Sequence, residues 1–174
     1  MDGNEPHNVG FFEFLSEKER AELLQTTELT TFEPSQILIE EGSEPSSLFI
    51  LTSGQVEVRK RLPDGGDKLL AVLDAKNGRT VVGERGLLSD SETSATVKAR
   101  SEVEAVKVPR ETFRAMIHEG RPAAYKLAYR VAHILAERLA RLDEEIVEAA
   151  REIERHGETD LEMFRHKLMT EWTV

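Results

Sequence analysis

The stretch at residues 81–97, VVGERGLLSDSETSATV, holds the most informative change of pattern in the chain. A short apolar run leads into Gly83 and Glu84, a brief helical turn follows at residues 85–88, and a polar loop then enters a second strand at Ser94. A helical turn that begins with exposed backbone N–H groups favours a bound anion. Many plain strand-to-helix connections share this pattern, so the stretch alone leaves both interpretations open.

Short strand-like runs lie on both sides of this stretch, separated by turn residues. They cover residues 29–32, 37–39, 48–51, 55–59, 69–73, 95–99 and 104–108. The pairs Asp64-Gly65 and Asn77-Gly78 predict hairpin or loop tips between them. Short strands at regular spacing predict a β-sandwich or a β-barrel.

Helical periodicity flanks the strands at both ends of the chain. Apolar residues at 11–24 fall at helical spacing, and Ser16 followed by Glu19 is a signal for a capped helix N-terminus. The helical period returns at residues 110–117 and again from Pro122 to about Glu154. We therefore expect short helices before the strands and a long helix after them.

The long helical stretch carries an apolar seam with alternating spacings of four and three residues. Its members are Leu135, Leu139, Leu142, Ile146, Ala149 and Ile153. This heptad pattern predicts a parallel homodimer, in which Arg138 faces Asp143 of a second copy in a weak surface pair. The alternative is that the stripe packs on the chain's own barrel.

Composition argues against several classes of function. A formal net charge of -10 disfavours direct nucleic-acid binding, and zero cysteines exclude disulfides, thiolate nucleophiles and cysteine-ligated zinc. The histidines are His7, His118, His133, His156 and His166, all outside the predicted strands, so no metal site in a barrel is expected. Without a signal peptide or an apolar span, a cytoplasmic protein is expected.

Several short motifs follow one another in register along the chain. They are Leu15-Ser16, Glu41-Gly42, Leu48-Phe49-Ile50, Ser53-Gly54, Val56-Glu57-Val58, Gly83-Glu84, Leu87-Leu88, Ala95-Thr96-Val97 and Ala99. In this order they resemble the cyclic-nucleotide-binding domain family of catabolite activator-like regulators, kinase A regulatory subunits and gated channels.

This resemblance implies an α+β fold. A jelly-roll β-barrel is expected between short N-terminal helices and a long C-terminal dimer helix. The expected organisation is a flexible N-terminus at 1–10, the barrel domain at 11–118, the dimerisation helix at 119–155 and a tail at 156–174.

In that family, residues matching Gly83 and Glu84 begin the phosphate-binding cassette. The resemblance implies that the Glu84 carboxylate accepts a hydrogen bond from a ribose 2′-hydroxyl. It places the cyclic phosphate among the backbone N–H groups of Gly86, Leu87 and Ala95 and the hydroxyl of Ser94. The alternative for Glu84 is a favourable interaction with the dipole of the helical turn that follows.

One position departs from the family's pattern. The family's phosphate-neutralising arginine lies two positions before the alanine of Ala-Thr-Val, and that position is Thr93 here. Loss of a charge-assisted contact of ~1.5–3 kcal/mol predicts roughly ten- to more than hundredfold weaker binding of a cyclic monophosphate. Arg85 is the candidate substitute cation; the alternative is a solvated surface arginine.

Together these features predict a non-enzymatic, homodimeric sensor that binds a cyclic nucleotide or another anionic ligand and acts on a protein partner. A second hypothesis is a degenerate, ligand-free dimerisation and docking scaffold. A truncated transcription regulator is a third, disfavoured because residues 156–174 are too few for a winged helix-turn-helix. No enzyme motif of the GxSxG, Walker or GxGxxG type occurs, and neither a nucleic-acid nor a membrane partner is expected.

Overall fold

The computed structural model describes residues 10–63, 65–75 and 80–156, with side chains through Glu152. The chain divides into two compact units, Met1–Val131 and Ala132–Val174. The predicted N-terminal segment lies outside the described residues except for Gly10, as do Asp64, Asn77, Gly78 and the tail beyond His156.

Within the described residues, the strands of the first unit form two four-stranded antiparallel sheets. The first sheet contains, in spatial order, β1 (Glu28–Phe32), β8 (Val103–Pro109), β3 (Ser47–Ser53) and β6 (Val81–Val82). The second contains β2 (Ile37–Ile39), β7 (Thr96–Ala99), β4 (Gln55–Arg61) and β5 (Asp67–Asp74). Each of the predicted strand runs is observed, several with longer bounds, whereas the run predicted at 95–99 begins one residue later, at Thr96.

The hydrophobic core collects side chains from both sheets. The members of one buried cluster of this core are Leu38, Phe49, Leu51, Val56, Ala75, Val82, Val97, Ala99, Val103 and Ala105. Phe32 meets Phe49 edge to face, with ring centroids 5.7 Å apart. Alternation along β7 buries Val97 and Ala99 and leaves Lys98 on the other face. A slip of one residue would move Lys98 into this core, so the pairing register is strongly specified.

The N-terminal helices pack with the aid of the predicted cap. A 3-10 helix at Gly10–Phe12 buries two phenylalanines, and α1 (Glu17–Leu24) follows. The hydroxyl of Ser16 accepts from the Glu19 N–H, while the Glu19 carboxylate accepts from the Ser16 N–H. This reciprocal pair confirms the predicted capping signal and satisfies N–H groups that a helix leaves open.

A glycine and a proline mark the boundary between the two C-terminal helices. The helix α3 (Arg110–His118) is followed by the terminating residue Gly120, which adopts a φ of +73°. Its N–H donates to the Ile117 carbonyl, and the Arg121 N–H donates to the Met116 carbonyl. The next helix, α4 (Pro122–His156), therefore begins beyond Gly120, as the helical period predicts, with proline in its first position.

The helix α4 contains 35 residues and carries many charged side chains. None of the helices in the described part of the chain combines the length and the apolarity that a membrane span needs.

Candidate ligand site

The helical turn predicted from Arg85 to Leu88 is observed as α2 (Glu84–Leu88). Gly83 precedes it in the left-handed conformation, with a φ of 81°. A Cβ atom at this position would lie 2.5 Å from the backbone oxygen of Ser47 in β3. Glycine is therefore needed here both for its backbone conformation and for the close approach of the two segments.

The turn brings four of the predicted contact residues together. Glu84 is buried, with 8% of its surface exposed, and Leu87 is buried beside it on the same turn. Gly86 lies against Pro45, where a Cβ atom would come within 2.4 Å of the proline Cβ. Arg85 is exposed. The turn thus buries a carboxylate and leaves a guanidinium at the surface.

Thr93 is tied to the turn between β2 and β3. Its Oγ1 accepts from the Ser43 N–H over 3.1 Å and donates to the Glu40 carbonyl. The Gly42 N–H donates to the Thr93 carbonyl over 2.9 Å, and the Thr93 N–H donates to the Ser43 carbonyl over 3.0 Å. A threonine hydroxyl has a single hydrogen to donate, and here the protein itself takes it.

A lysine that sequence analysis did not select contacts the same segment. The Nζ of Lys60 donates to the Ser94 carbonyl and to Oε1 of Glu41, each over 2.7 Å. The second carboxylate oxygen of Glu41 accepts from the Arg61 N–H over 2.8 Å. The hydrogen bond from Lys60, followed by that from Arg61, holds the pKa of Glu41 below its ordinary value. Glu41 is consequently ionised at neutral pH.

The sequence contains a signal for Lys60 in the alternation of its strand. The strand was predicted to end at Arg59, whereas β4 continues to Arg61. Alternation along the strand places Lys60 on the same face as Val56 and Val58, which belong to the core or pack against it. Continuing the period of two beyond Arg59 would have identified this position.

Ser94 and Ala95 complete the predicted contact set. Ser94 is exposed and Ala95 is partly buried, and both lie between Thr93 and the start of β7. Thr96 then accepts a hydrogen bond at Oγ1 from the Glu41 N–H over 3.1 Å. The β2–β3 turn is therefore joined to both ends of the 93–96 segment.

Arg110 was also missed, and it holds the far end of α2. Its Nη2 donates to the Ser89 carbonyl over 2.8 Å and to Asp90 over 2.5 Å. Arg114 binds the same Asp90 oxygen. The hydrogen bonds from Arg114 and then Arg110 lower the pKa of Asp90.

A separate groove of about 580 Å³ lies on the opposite face of the second sheet. Its lining includes Glu41 of the β2–β3 turn and five residues of the strands, Ile37, Glu57, Arg59, Thr96 and Lys98. These strand residues alternate with core residues along β2, β4 and β7, so their side chains lie on the outer face of the sheet. Glu41 and Thr96 both line the groove and are hydrogen-bonded to each other, so the groove adjoins the 93–96 segment of the cassette.

The predicted dimer residues lie on α4 in the second unit. Leu139 and Leu142 are each 52% exposed, Leu135 and Ile146 are partly exposed, and Ala149 is exposed. The side chain of Ile153 lies outside the described residues. The interface stays a prediction.

Comparison with known sequences decides the family. The sequence profile described as "Cyclic nucleotide-binding domain" matches residues 29–119, which contain both sheets and the cassette. The chain belongs to this family. The resemblance deduced from the short motifs is therefore confirmed.

Two curated relatives of this cyclic nucleotide-binding domain are regulatory proteins by name. The chain is 24% identical over 140 residues to a CRP-like cAMP-activated global transcriptional regulator of Mycobacterium tuberculosis, covering 80% of this chain and 59% of the relative. It is 34% identical over 92 residues to a cAMP-dependent protein kinase regulatory subunit of Mycosarcoma maydis, covering 53% of this chain and 17% of the relative. The chain thus spans less than two thirds of either relative.

Among solved structures, the fold is similar to a cyclic nucleotide-binding domain from Methylobacillus flagellatus. The TM-score is 0.70 at 19% sequence identity, with 82% of this chain and 79% of that chain covered. This likeness confirms the predicted jelly-roll fold with its long C-terminal helix.

Proposed function

We propose that this chain is a non-enzymatic regulatory domain that binds a cyclic nucleotide at the 83–97 cassette. The observation that carries the proposal is the formed cassette, in which a left-handed Gly83 leads into α2 and Glu84 is buried at its first position. The buried Glu84 occupies the position at which the family resemblance implies a contact with a ribose 2′-hydroxyl. The names of the two curated relatives, which both include cAMP, support the ligand class.

The surroundings of the cassette suit the parts of such a ligand. Val82 lies directly before the cassette and Val97 at its end, and both belong to the core cluster, against which Val58 packs. In the proposed complex, these apolar side chains contact the base and Glu84 accepts a hydrogen bond from the ribose. The cyclic phosphate lies near Ser94, where the departure at Thr93 weakens its binding.

The proposal includes a homodimer formed through α4 and a protein partner that receives the signal. Leu139 and Leu142 support the dimer because each is 52% exposed on the unit that contains it. Burying a leucine side chain against a second copy stabilises by ~1.5–3 kcal/mol. The heptad spacing of the seam supplies the geometry for that burial.

Calorimetric titration with cyclic AMP and cyclic GMP tests the ligand proposal. We expect saturable binding to the unaltered chain and at least roughly tenfold weaker binding to Glu84→Gln, because a hydrogen bond to a charged group contributes ~1.5–3 kcal/mol. Glu92→Gln is the matched control, since Glu92 is an exposed glutamate in the loop after α2. Absence of saturable binding at millimolar nucleotide, in a chain shown to be folded, would rule the proposal out.

A second candidate function is a ligand-free dimerisation and docking scaffold. The hydrogen bonds of the Thr93 hydroxyl with Glu40 and Ser43 favour the scaffold, because this side chain stabilises the β2–β3 turn instead of contacting a ligand. A dimer that binds neither nucleotide, and whose partner affinity is unchanged by Glu84→Gln, would support the scaffold instead.

A further inference from the structure

We infer that Lys60 supplies the positive charge for the ligand's phosphate in this cassette and that Glu41 competes with the phosphate for it. The inference rests on the proposed function and adds to it the cation and the residue that limits affinity. Neither residue belongs to the cassette stretch itself.

The contacts of the Lys60 ammonium place it beside the cassette. Its Nζ lies 2.7 Å from the carbonyl oxygen of Ser94, the residue directly after Thr93. An ammonium group has three hydrogens to donate, and the described contacts with Ser94 and Glu41 use two of them. One donor direction therefore remains for an anion that approaches Ser94.

The strand register explains why this lysine reaches the cassette. The pairing of β4 with β7 runs from Val56 with Ala99 to Arg59 with Thr96. Lys60 follows the last residue of β4 that pairs with β7, on the same face as Val56 and Val58. Its side chain thus extends from the core face of the sheet, past the end of β7, to Ser94.

Other cations near this region are placed differently. Arg110 is bound to Ser89 and Asp90 at the far end of α2, and Arg85 is exposed on α2. Lys98 and Arg59 line the groove on the outer face of the sheet. Among the described residues with recorded contacts, Lys60 is the cation whose side chain bonds to the 93–96 segment.

Glu41 limits the affinity of Lys60 for a phosphate group. Its carboxylate holds Lys60 over 2.7 Å and is anchored by the Arg61 N–H, so a phosphate has to share the ammonium with an ionised neighbour. A cyclic monophosphate carries one negative charge, and repulsion between it and Glu41 opposes their common use of Lys60. Lys60 is therefore expected to give less affinity than a free cation would.

The experiment measures cyclic AMP and cyclic GMP affinity for four variants by calorimetry. Lys60→Met is expected to weaken binding roughly ten- to hundredfold, the loss of one charge-assisted hydrogen bond, and Lys60→Arg to retain most of the affinity. Glu41→Gln is expected to strengthen binding, because it keeps an acceptor for Arg61 and removes the competing charge. Lys98→Met is the matched control, which removes the same charge from the outer face and should leave affinity unchanged. Circular dichroism verifies that each variant is folded.

The outcomes separate this inference from the proposed function. If the unaltered chain binds a nucleotide and Lys60→Met binds it as tightly as Lys98→Met, the inference is wrong and the function stands. Weaker binding by Glu41→Gln than by the unaltered chain would overturn the competing role of Glu41. If the unaltered chain binds neither nucleotide, the proposed function and this inference fail together.

Discussion

The guanidinium of Arg110 donates a hydrogen bond to the backbone carbonyl of Ser89 over 2.8 Å. Ser89 is the C-cap of α2 and Arg110 is the first residue of α3, so this contact joins the end of the cassette helix to the next helix. The Arg110 side chain is 10% exposed. Its Nε is buried and has no hydrogen-bond partner among the described residues, which offsets part of the stabilisation.

Arg110→Met is expected to loosen the end of α2. The free energy of unfolding should fall by ~1–3 kcal/mol because the contacts with Ser89 and Asp90 are lost. Amide hydrogen exchange at Ser89, whose N–H donates to the Arg85 carbonyl over 3.0 Å, should become faster. Arg114→Met is the control, since Arg114 binds the same Asp90 from a side chain that is 45% exposed. Equal effects of the two substitutions would contradict a special role for Arg110.

Gly83→Ala is expected to destabilise the domain more than Gly42→Ala. Both glycines have left-handed backbones, with φ values of +81° and +79°, so alanine costs ~1–2 kcal/mol at either position. At Gly83 the new Cβ would also lie 2.5 Å from the Ser47 oxygen, whereas at Gly42 no atom lies within 4 Å. Chemical denaturation should show a further loss of ~1–3 kcal/mol for Gly83→Ala. Similar losses of stability for the two variants would mean that β3 moves to accommodate the added methyl group.

The stability of the N-terminal helix should depend on pH through Glu19. Hydrogen bonds from Lys126 first, and then from Ser16, lower the pKa of Glu19 from 4.5 to about 2. Because the folded-state pKa lies below the unfolded value, this contribution is complete above pH 4.5 and is lost as the pH falls towards 2. The difference in melting temperature between the unaltered chain and Glu19→Gln should therefore shrink across this range.

Glu17→Gln serves as the control for Glu19, because Glu17 is exposed in the same helical turn. Its melting temperature should follow that of the unaltered chain across the same pH range. A Glu19→Gln difference that stays constant down to pH 2 would show that the carboxylate contributes no charge-dependent stability.

Thr93→Arg should strengthen nucleotide binding and weaken the fold. The added guanidinium provides a charge-assisted contact of ~1.5–3 kcal/mol, which corresponds to roughly tenfold or more in affinity. The lost hydroxyl removes the contacts with Ser43 and Glu40, so the free energy of unfolding should fall by ~1–3 kcal/mol. Thr93→Val removes the hydroxyl without adding charge, and it should reproduce the loss of stability without the gain in affinity.

The same substitution also bears on Lys60. In a Lys60→Met background, Thr93→Arg should increase affinity by a larger factor than in the unaltered chain, because the new cation then acts without a second one. Calorimetry on the single and double variants measures this coupling. If the two substitutions change nucleotide affinity independently, residues 60 and 93 do not contact the same group of the ligand.

Leu142→Asp should convert the proposed dimer into monomers. It places a charge from each copy in the predicted seam, where burial of an unpaired carboxylate is strongly unfavourable. Ala140→Asp is the matched control, since Ala140 is exposed on the same helix outside the heptad seam. Analytical ultracentrifugation that finds Leu142→Asp as dimeric as the control would exclude the Leu142 interface.

The sequence by itself determined the elements that depend on near neighbours in the chain. The alternation in β7, the reciprocal cap of Ser16 and Glu19, and the helical turn that follows Gly83 were all encoded within a few residues. Several motifs in register then identified the family, which the profile match confirmed. Such features follow from backbone conformation and hydrophobic period, which are local properties.

Tertiary structure alone decided which side chains meet at the cassette. Lys60 contacts Ser94 across 34 positions of sequence, and Thr93 contacts Ser43 across 50. The sequence nominated Thr93 for its position in a motif but contained no indication that its hydroxyl would bond to the β2–β3 turn. These contacts depend on the register between strands that are distant in the chain, where a shift of one residue would turn each side chain to the opposite face.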